Sequence, residues 1–469
     1  MDENTCMTLP VGFVPTPSAL YRAHRKSVQL LQQPSQPRLK ETALPTRTAA
    51  APPAGARALI WKQDPSVTEI GARKIFLPGV ILAGPRDARI ASGQPGIAPV
   101  SPNAFGDFIM APNTDQFDAV HAFAVVRMTL TMYQRVLSRA DHDAPLPWAW
   151  NSSSNTDPLH VFPYGLPNVM NAYYSRSDRA LKFGDFVPNG AVNRIYTCRS
   201  FDIVSHETGH AVLDGLKPKW IANTAPPQTG GLHESFGDLT AIFVALSQLD
   251  QVEAVIAQTK ADLHDKTFLA DMAEQFGLAL GRPNGLRNAD NDLKLSEAGN
   301  EVHAISQVFT GAIYDILADI FAFERAPGLR DDAAVLLSVG GYLCSLLLRA
   351  LIAAPDANAK FADVVNQMLR ISQEDGKPVD YANSIRNRFA LREVVVSPVP
   401  LTDDQPQNMD LQPMVDDAPG ARQDRRGCCG TMNHPEYFDM EGVLDAERQG
   451  LAAWCKNAGF RHGEVAIEK

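Results

Sequence analysis

Two histidines four residues apart, with a glutamate directly after the first, carry the clearest chemistry in this 469-residue chain: His206-Glu207-Thr208-Gly209-His210. On a helix, positions i and i+4 share a face, so both imidazoles can reach one metal ion while Glu207 reaches a water on it. The chemistry such a set performs is metal-assisted hydrolysis. Catalytic zinc takes three protein ligands and leaves a position open, so a third must come from elsewhere. Glu234 and Asp238 stand one helical turn apart in the next segment. A carboxylate at Glu234 can complete the site. Asp238 can accept the free ring N–H of a ligand imidazole, His206 being the expected one, and so fix its tautomer.

The elements that must hold these residues are legible in the periodicity. Phe201, Val204, Val212 and Leu216 recur at helical spacing, with Ser200 as N-cap and Gly215 to Pro218 as the stop. A loop through Pro226, Pro227, Gly230 and Gly231 leads to a second helix with the stripe Leu232, Phe236, Leu239, Phe243 and Leu246. Upstream, short apolar runs cut by Pro and Gly predict strands, and Asp118 to Val136 predicts a helix. The expected fold is therefore α+β: a strand-rich lobe over residues 56–205 and a mainly helical lobe over 206–397, flanking the central metal-binding helix. Residues 1–55 hold eight prolines and read as a mobile tail or pro-segment, and residues 398–469 as an acidic linker and tail ending in a short helix, Met440 to Ala458.

Composition narrows the function classes. With 43 Lys+Arg against 53 Asp+Glu, the net charge of −10 points away from nucleic acid, which calls for a basic face. The longest uncharged apolar stretch, Ala333 to Leu348, ends at Arg349, short of the ~20 residues a membrane span needs, so a buried helix is expected there. No secretory signal is readable, since Arg22, Arg25 and Lys26 are followed by no apolar run. A cytoplasmic protein is expected, or one exported by a route without a cleavable signal. The six cysteines show no framework spacing, and the vicinal Cys428 and Cys429 read as reduced thiols in a loop.

His-Glu-Thr-Gly-His followed by His233-Glu-Ser-Phe-Gly-Asp238 resembles the thermolysin-like zinc metallopeptidases, the gluzincins. The resemblance extends in one order over about residues 57–397, and it implies one catalytic zinc on His206, His210 and Glu234, with Glu207 as general base. Asn171-Ala172-Tyr173-Tyr174 looks like the family's edge strand, whose Asn-Ala pair binds substrate backbone. Leu286-Arg287 resembles the Leu-Arg whose guanidinium holds the substrate carbonyl, and Val302-His303 resembles the segment carrying the second catalytic histidine. Ile203 and Leu286 match positions lining the pocket for the side chain on the new amino terminus. The implied activity is that of an endopeptidase, expected as a monomer acting on peptide or protein substrates. His233, usually Asn in the family, is taken as structural.

Departures from the family pattern are equally specific. No Tyr lies between Ala211 and His233, where the family places one; Trp220 is the only aromatic there. Ala298 stands where a carboxylate five residues before the second catalytic histidine is expected, leaving Glu297 or Asn300 as substitutes for orienting His303. Ala245 replaces an acidic calcium ligand, which argues against the family's double calcium site although Asp202 is retained. The missing Tyr keeps open a second class, a zinc-stabilised binding module that has lost efficient turnover. An aminopeptidase is disfavoured, because no Gly-x-Met-Glu-Asn string occurs.

Overall fold

Burial alternates along the first strand, β1 (Gly55–Trp61): Ala56, Ala58 and Ile60 are buried and Arg57 is exposed. That period of two is what a half-buried strand requires. The computed structural model describes residues 54–395, apart from 94–95, 140–144, 189, 223 and 283–284, together with Pro413 and Asp417. The expectations for residues 1–53, for the 398–469 segment apart from Pro413 and Asp417, and for Cys428 and Cys429 fall outside the described residues, and Gly55, expected in the tail, opens β1.

β1 pairs antiparallel with β2 (Ala72–Pro78). A second sheet is built from β3 (Ile90–Ser92), β4 (Leu159–Pro167), β5 (Ala172–Ser175), β6 (Ala180–Phe186) and β7 (Ile195–Tyr196), in the order β3-β4-β6-β5, with β7 also on β6. β3, β4 and β6 run parallel; β5 and β7 are antiparallel to β6. Against these strands packs α1 (Asp115–Ser138), begun by Thr114, whose hydroxyl accepts from Phe117 N at 3.2 Å.

From Ser200 onward the chain is mainly helical. α2 (Phe201–Leu216) is capped by Ser200 as expected, and it contacts both α1 and α3 (Pro227–Leu246). Next come α4 (Leu249–Thr259), the two-residue strand β8 (Asp271–Met272), α5 (Glu274–Ala279), β9 (Arg287–Asn288) pairing β8, and α6 (Leu295–Ala298). The remaining helices are α7 (Val302–Glu324), α8 (Asp332–Ala353), α9 (Phe361–Glu374) and α10 (Val379–Leu391). The architecture is thus α+β, with a strand-containing amino-terminal region and a helical carboxy-terminal one.

Two local expectations need correction. Gly230 and Gly231 lie inside α3 and not in the loop before it. A Cβ on Gly231 would come 2.7 Å from Ile305 Cγ2 of α7, so glycine there permits close packing of helices. The apolar stretch from Ala333 is part of the 22-residue α8, longer than its uncharged run. Among the described residues, α7 and α8 are long and apolar enough to cross a membrane by length and composition, and 83% and 61% of their apolar windows are buried inside the protein.

Candidate metal centre

α2 is buried from Phe201 to Asp214 except at Ile203, so its histidines meet protein and not bulk water. His206 Nε2 and His210 Nε2 each lie 3.6 Å from Glu234 Oε2 of α3, and neither nitrogen has a hydrogen-bond partner. One donor atom from each residue lies within 4.8 Å of the others. Leaving a buried imidazole nitrogen unsatisfied costs roughly 1–3 kcal/mol, so two aimed at one carboxylate call for something between them. Ligands at zinc distances of about 2.0–2.2 Å in a tetrahedron stand roughly 3.3–3.6 Å apart. Donor types and spacing therefore fit one zinc-like ion.

The contact between α2 and α3 depends on two glycines. A Cβ on Gly237 would lie 2.6 Å from Cε1 and 2.7 Å from Nδ1 of His206, and one on Gly209 would lie 2.5 Å from Thr240 Oγ1. With no side chain at either point, the helices approach closely enough for Glu234 to face both histidines.

The far side of each imidazole is also held. His206 Nδ1 donates to Asp238 Oδ1 at 2.9 Å, as the sequence suggested. Arg287 clamps the same carboxylate, Nη2 to Oδ1 at 2.6 Å and Nε to Oδ2 at 3.1 Å. Burial alone would raise the Asp238 pKa, but the Arg287 charge and the His206 hydrogen bond bring it down to about 2. For His206, burial works against the charged form, yet Asp238, Glu234 and Glu207 together lift the pKa to about 9. Glu234 is held well below the usual carboxylate range against its own burial, chiefly by His303 and His210. These groups form a field that favours positive charge at their centre, which a proton or a metal ion can satisfy.

His303 opens α7 with Nε2 3.3 Å from Glu234 Oε2, so the structure brings it to the centre. The residue that orients it is neither Glu297 nor Asn300. Glu297 is occupied at the start of α6, accepting from Lys294 N at 3.2 Å. Glu301, the N-cap of α7, accepts from His303 Nδ1 at 2.7 Å as well as from the His303 and Ala304 backbone N–H groups. Sequence reasoning missed it because an N-cap carboxylate looks the same whether or not it also holds a side chain.

Beside the centre opens a cleft of about 410 Å³, solvent included, lined by Asn171, Ala172, Ile203, His206, Glu207, Leu286 and Arg287. Seven residues singled out from sequence thus share one cavity. Met272, Ala273 and Phe276 complete its apolar side and were not foreseen, since the β8–α5 corner carries no readable periodicity. Phe276 packs edge-on against Phe186, ring centroids 5.6 Å apart. Asn171 differs from the simple strand-addition expectation. Its N–H goes to Val169 O, its C=O accepts from Gly184 N, and its Oδ1 accepts from Ala172 N at 2.9 Å. Its Nδ2, buried and without a hydrogen-bond partner, is the group left to face a ligand. Trp220, the only aromatic between Ala211 and His233, is buried and bonds through Nε1 to Pro355 O, so it does not stand in for the absent Tyr.

No family model matches this chain, and no curated protein matches it. Among solved structures, the precursor of protealysin, a metalloproteinase from Serratia proteamaculans, is similar at 17% identity and a TM-score of 0.41, over 65% of this chain and 85% of that one. So remote a likeness adds no weight to the metal centre, which stands on its own geometry.

Proposed function

We propose that the chain is a zinc-dependent endopeptidase. The observation that carries this reading is the convergence of His206 Nε2, His210 Nε2 and Glu234 beside a cleft that Glu207 also lines. His206, His210 and Glu234 would hold the ion, which when bound supplies Lewis acidity toward water and a peptide carbonyl. Glu207 takes the proton of the attacking water and passes it to the leaving amine. His303, its ring fixed by Glu301, donates a hydrogen bond to the carbonyl oxygen as negative charge develops there. Arg287 braces Asp238, and through it the ring of His206. Asn171 holds substrate backbone through its side-chain amide.

The apolar side of the cleft sets the expected specificity. Ile203, Leu286, Met272 and Phe276 favour Leu, Ile, Val or Phe on the new amino terminus, each worth ~1.5–3 kcal/mol on burial. Sequencing of cleavage sites in a denatured protein mixture, with and without a chelator, tests both claims. Chelator-sensitive cuts before bulky apolar residues are expected; mainly charged residues at that position would remove the specificity claim.

A binding module is the second reading, and the position of Trp220 away from the site favours it, because no Tyr stands among the described residues that line the cleft. Such a module keeps its metal and cuts nothing.

A further inference from the structure

We infer that Phe186 is a positioning residue for specificity: it stands behind Phe276 and sets how large a side chain the apolar side of the cleft accepts. The inference rests on the endopeptidase reading and deepens its specificity claim. Ile203, Ala273, Phe276 and Leu286 line the cleft, whereas Phe186 does not. Phe186 is 6% exposed, and with Ala273 and Phe276, each 4% exposed, it forms a small apolar cluster apart from the main core. The apolar side of the cleft is therefore backed by this small cluster, in which Phe186 supplies the second large ring.

The two rings come from different parts of the chain, and both backbones are held. Phe186 ends β6 and is paired there with Ile195 of β7, so the sheet fixes it. Phe276 sits on α5, which the chain enters from β8 through Ala273 in a left-handed conformation with φ of 50°. A Cβ on Gly277 would lie 2.2 Å from the carbonyl carbon of Gly285 and 2.4 Å from its oxygen, so α5 already touches the chain returning to β9. The space at the cleft is then decided by the rings. With centroids 5.6 Å apart and planes inclined by 69°, they meet edge to face, and Phe186 fills the volume into which Phe276 would otherwise turn.

A size limit follows. Packed interiors leave few voids, so a side chain entering from the cleft cannot push Phe276 back while Phe186 occupies the space behind it. A Leu-sized group fits against the ring as it stands; an indole requires the ring to retreat. Shortening Phe186 opens a cavity into which Phe276 can relax in part. The substrate class is thus peptides with a compact aliphatic residue on the new amino terminus, the limit being set by a residue one layer behind the cleft.

The experiment uses the full-length protein and two peptides that differ only in Leu or Trp after the scissile bond. Mixed in one tube, they report the ratio of their kcat/KM values directly. Loss of folded or metal-bound enzyme slows both cuts equally and leaves that ratio unchanged, so a merely structural role does not move it. The parent is expected to favour Leu by ~10-fold or more, and Phe186→Ala to lower the ratio by ~10-fold. Phe186→Leu removes less volume and serves where the alanine variant does not fold; it should lower the ratio by a smaller factor. In a Phe276→Ala background, Phe186→Ala should change the ratio no further, because the ring it acts through is gone. An unchanged ratio in the Phe186 variants overturns the inference, as does an equal fall with and without the Phe276 ring. A parent that cuts neither peptide contradicts the endopeptidase reading instead. The inference is then decided by calorimetric dissociation constants of the same two peptides, whose ratio should change in the same way.

Discussion

Glu301 joins two tasks in one carboxylate: it caps α7 and holds the ring of His303. Replacement by Gln leaves an oxygen for the backbone but removes the charge that fixes the imidazole. Turnover of Glu301→Gln should drop by about 10–100-fold with KM little changed, consistent with an effect felt mainly as charge develops on the substrate. In a His303→Ala background the same change should do almost nothing further. Peptide kinetics on the four proteins of that cycle check it; additive losses would mean that Glu301 acts on the fold and not through His303. Residues of this kind were the hardest to read. His206 with His210 and Glu234 with Asp238 could be found because a spacing of four puts each pair on one helix face, and Glu207 because it directly follows the first histidine. Glu301 carries no comparable spacing signal, since it meets His303 through contacts that only the packed structure defines.

At the scale of elements, the contact between α2 and α3 decides whether the ligands meet. Gly237→Ala would place a methyl 2.6–2.9 Å from three atoms of the His206 ring, which is itself tied to Asp238. The ring must shift, at a cost of about 1–3 kcal/mol. Zinc affinity of the variant should fall by ~10-fold or more as His206 loses its alignment. Chelator competition and thermal unfolding measure both effects; unchanged values would show that the helices can part at no cost. The capped start of α2 and the buried stripe of α3 were legible, because Ser200 and the four-three spacing are local signals. The start of α3 was not. Pro226, Pro227, Gly230 and Gly231 spell a turn by composition, and only the proximity of Ile305 shows why glycine stands inside the helix.

Across the whole molecule, a second group of buried acids makes stability depend on pH. Asp202, at the start of α2, is pushed up from 3.8 to about 8 by burial and by the charge of Asp64. Glu274 rises to about 11 through burial and the charges of Asp202 and Asp64. Native Asp202 therefore keeps a proton that the unfolded chain has already released above pH 4. Its contribution is complete below the unfolded pKa and is lost as pH rises toward 8, at up to about 1.4 kcal/mol per pH unit. Denaturant unfolding of the metal-free protein between pH 5 and 8 should show stability falling, with a shallower slope in Asp202→Asn; equal slopes would mean that Asp202 is ionised in the native state. The division into strand-bearing and helical regions was legible because period two gives way to helical period at Ser200. The acid group was not, since Asp64, Asp202 and Glu274 are joined only by the tertiary fold.

The central claim is that Glu207 is the base of a metal-dependent peptidase, and one variant tests it most directly. Glu207→Gln leaves His206, His210 and Glu234 in place, so metal analysis after dialysis should still find about one zinc per chain. Cleavage of a denatured protein substrate should fall by ~10²–10⁴-fold, the usual worth of a positioned general base. A variant that cuts as fast as the parent, or a parent that holds zinc and cuts nothing, would contradict the account.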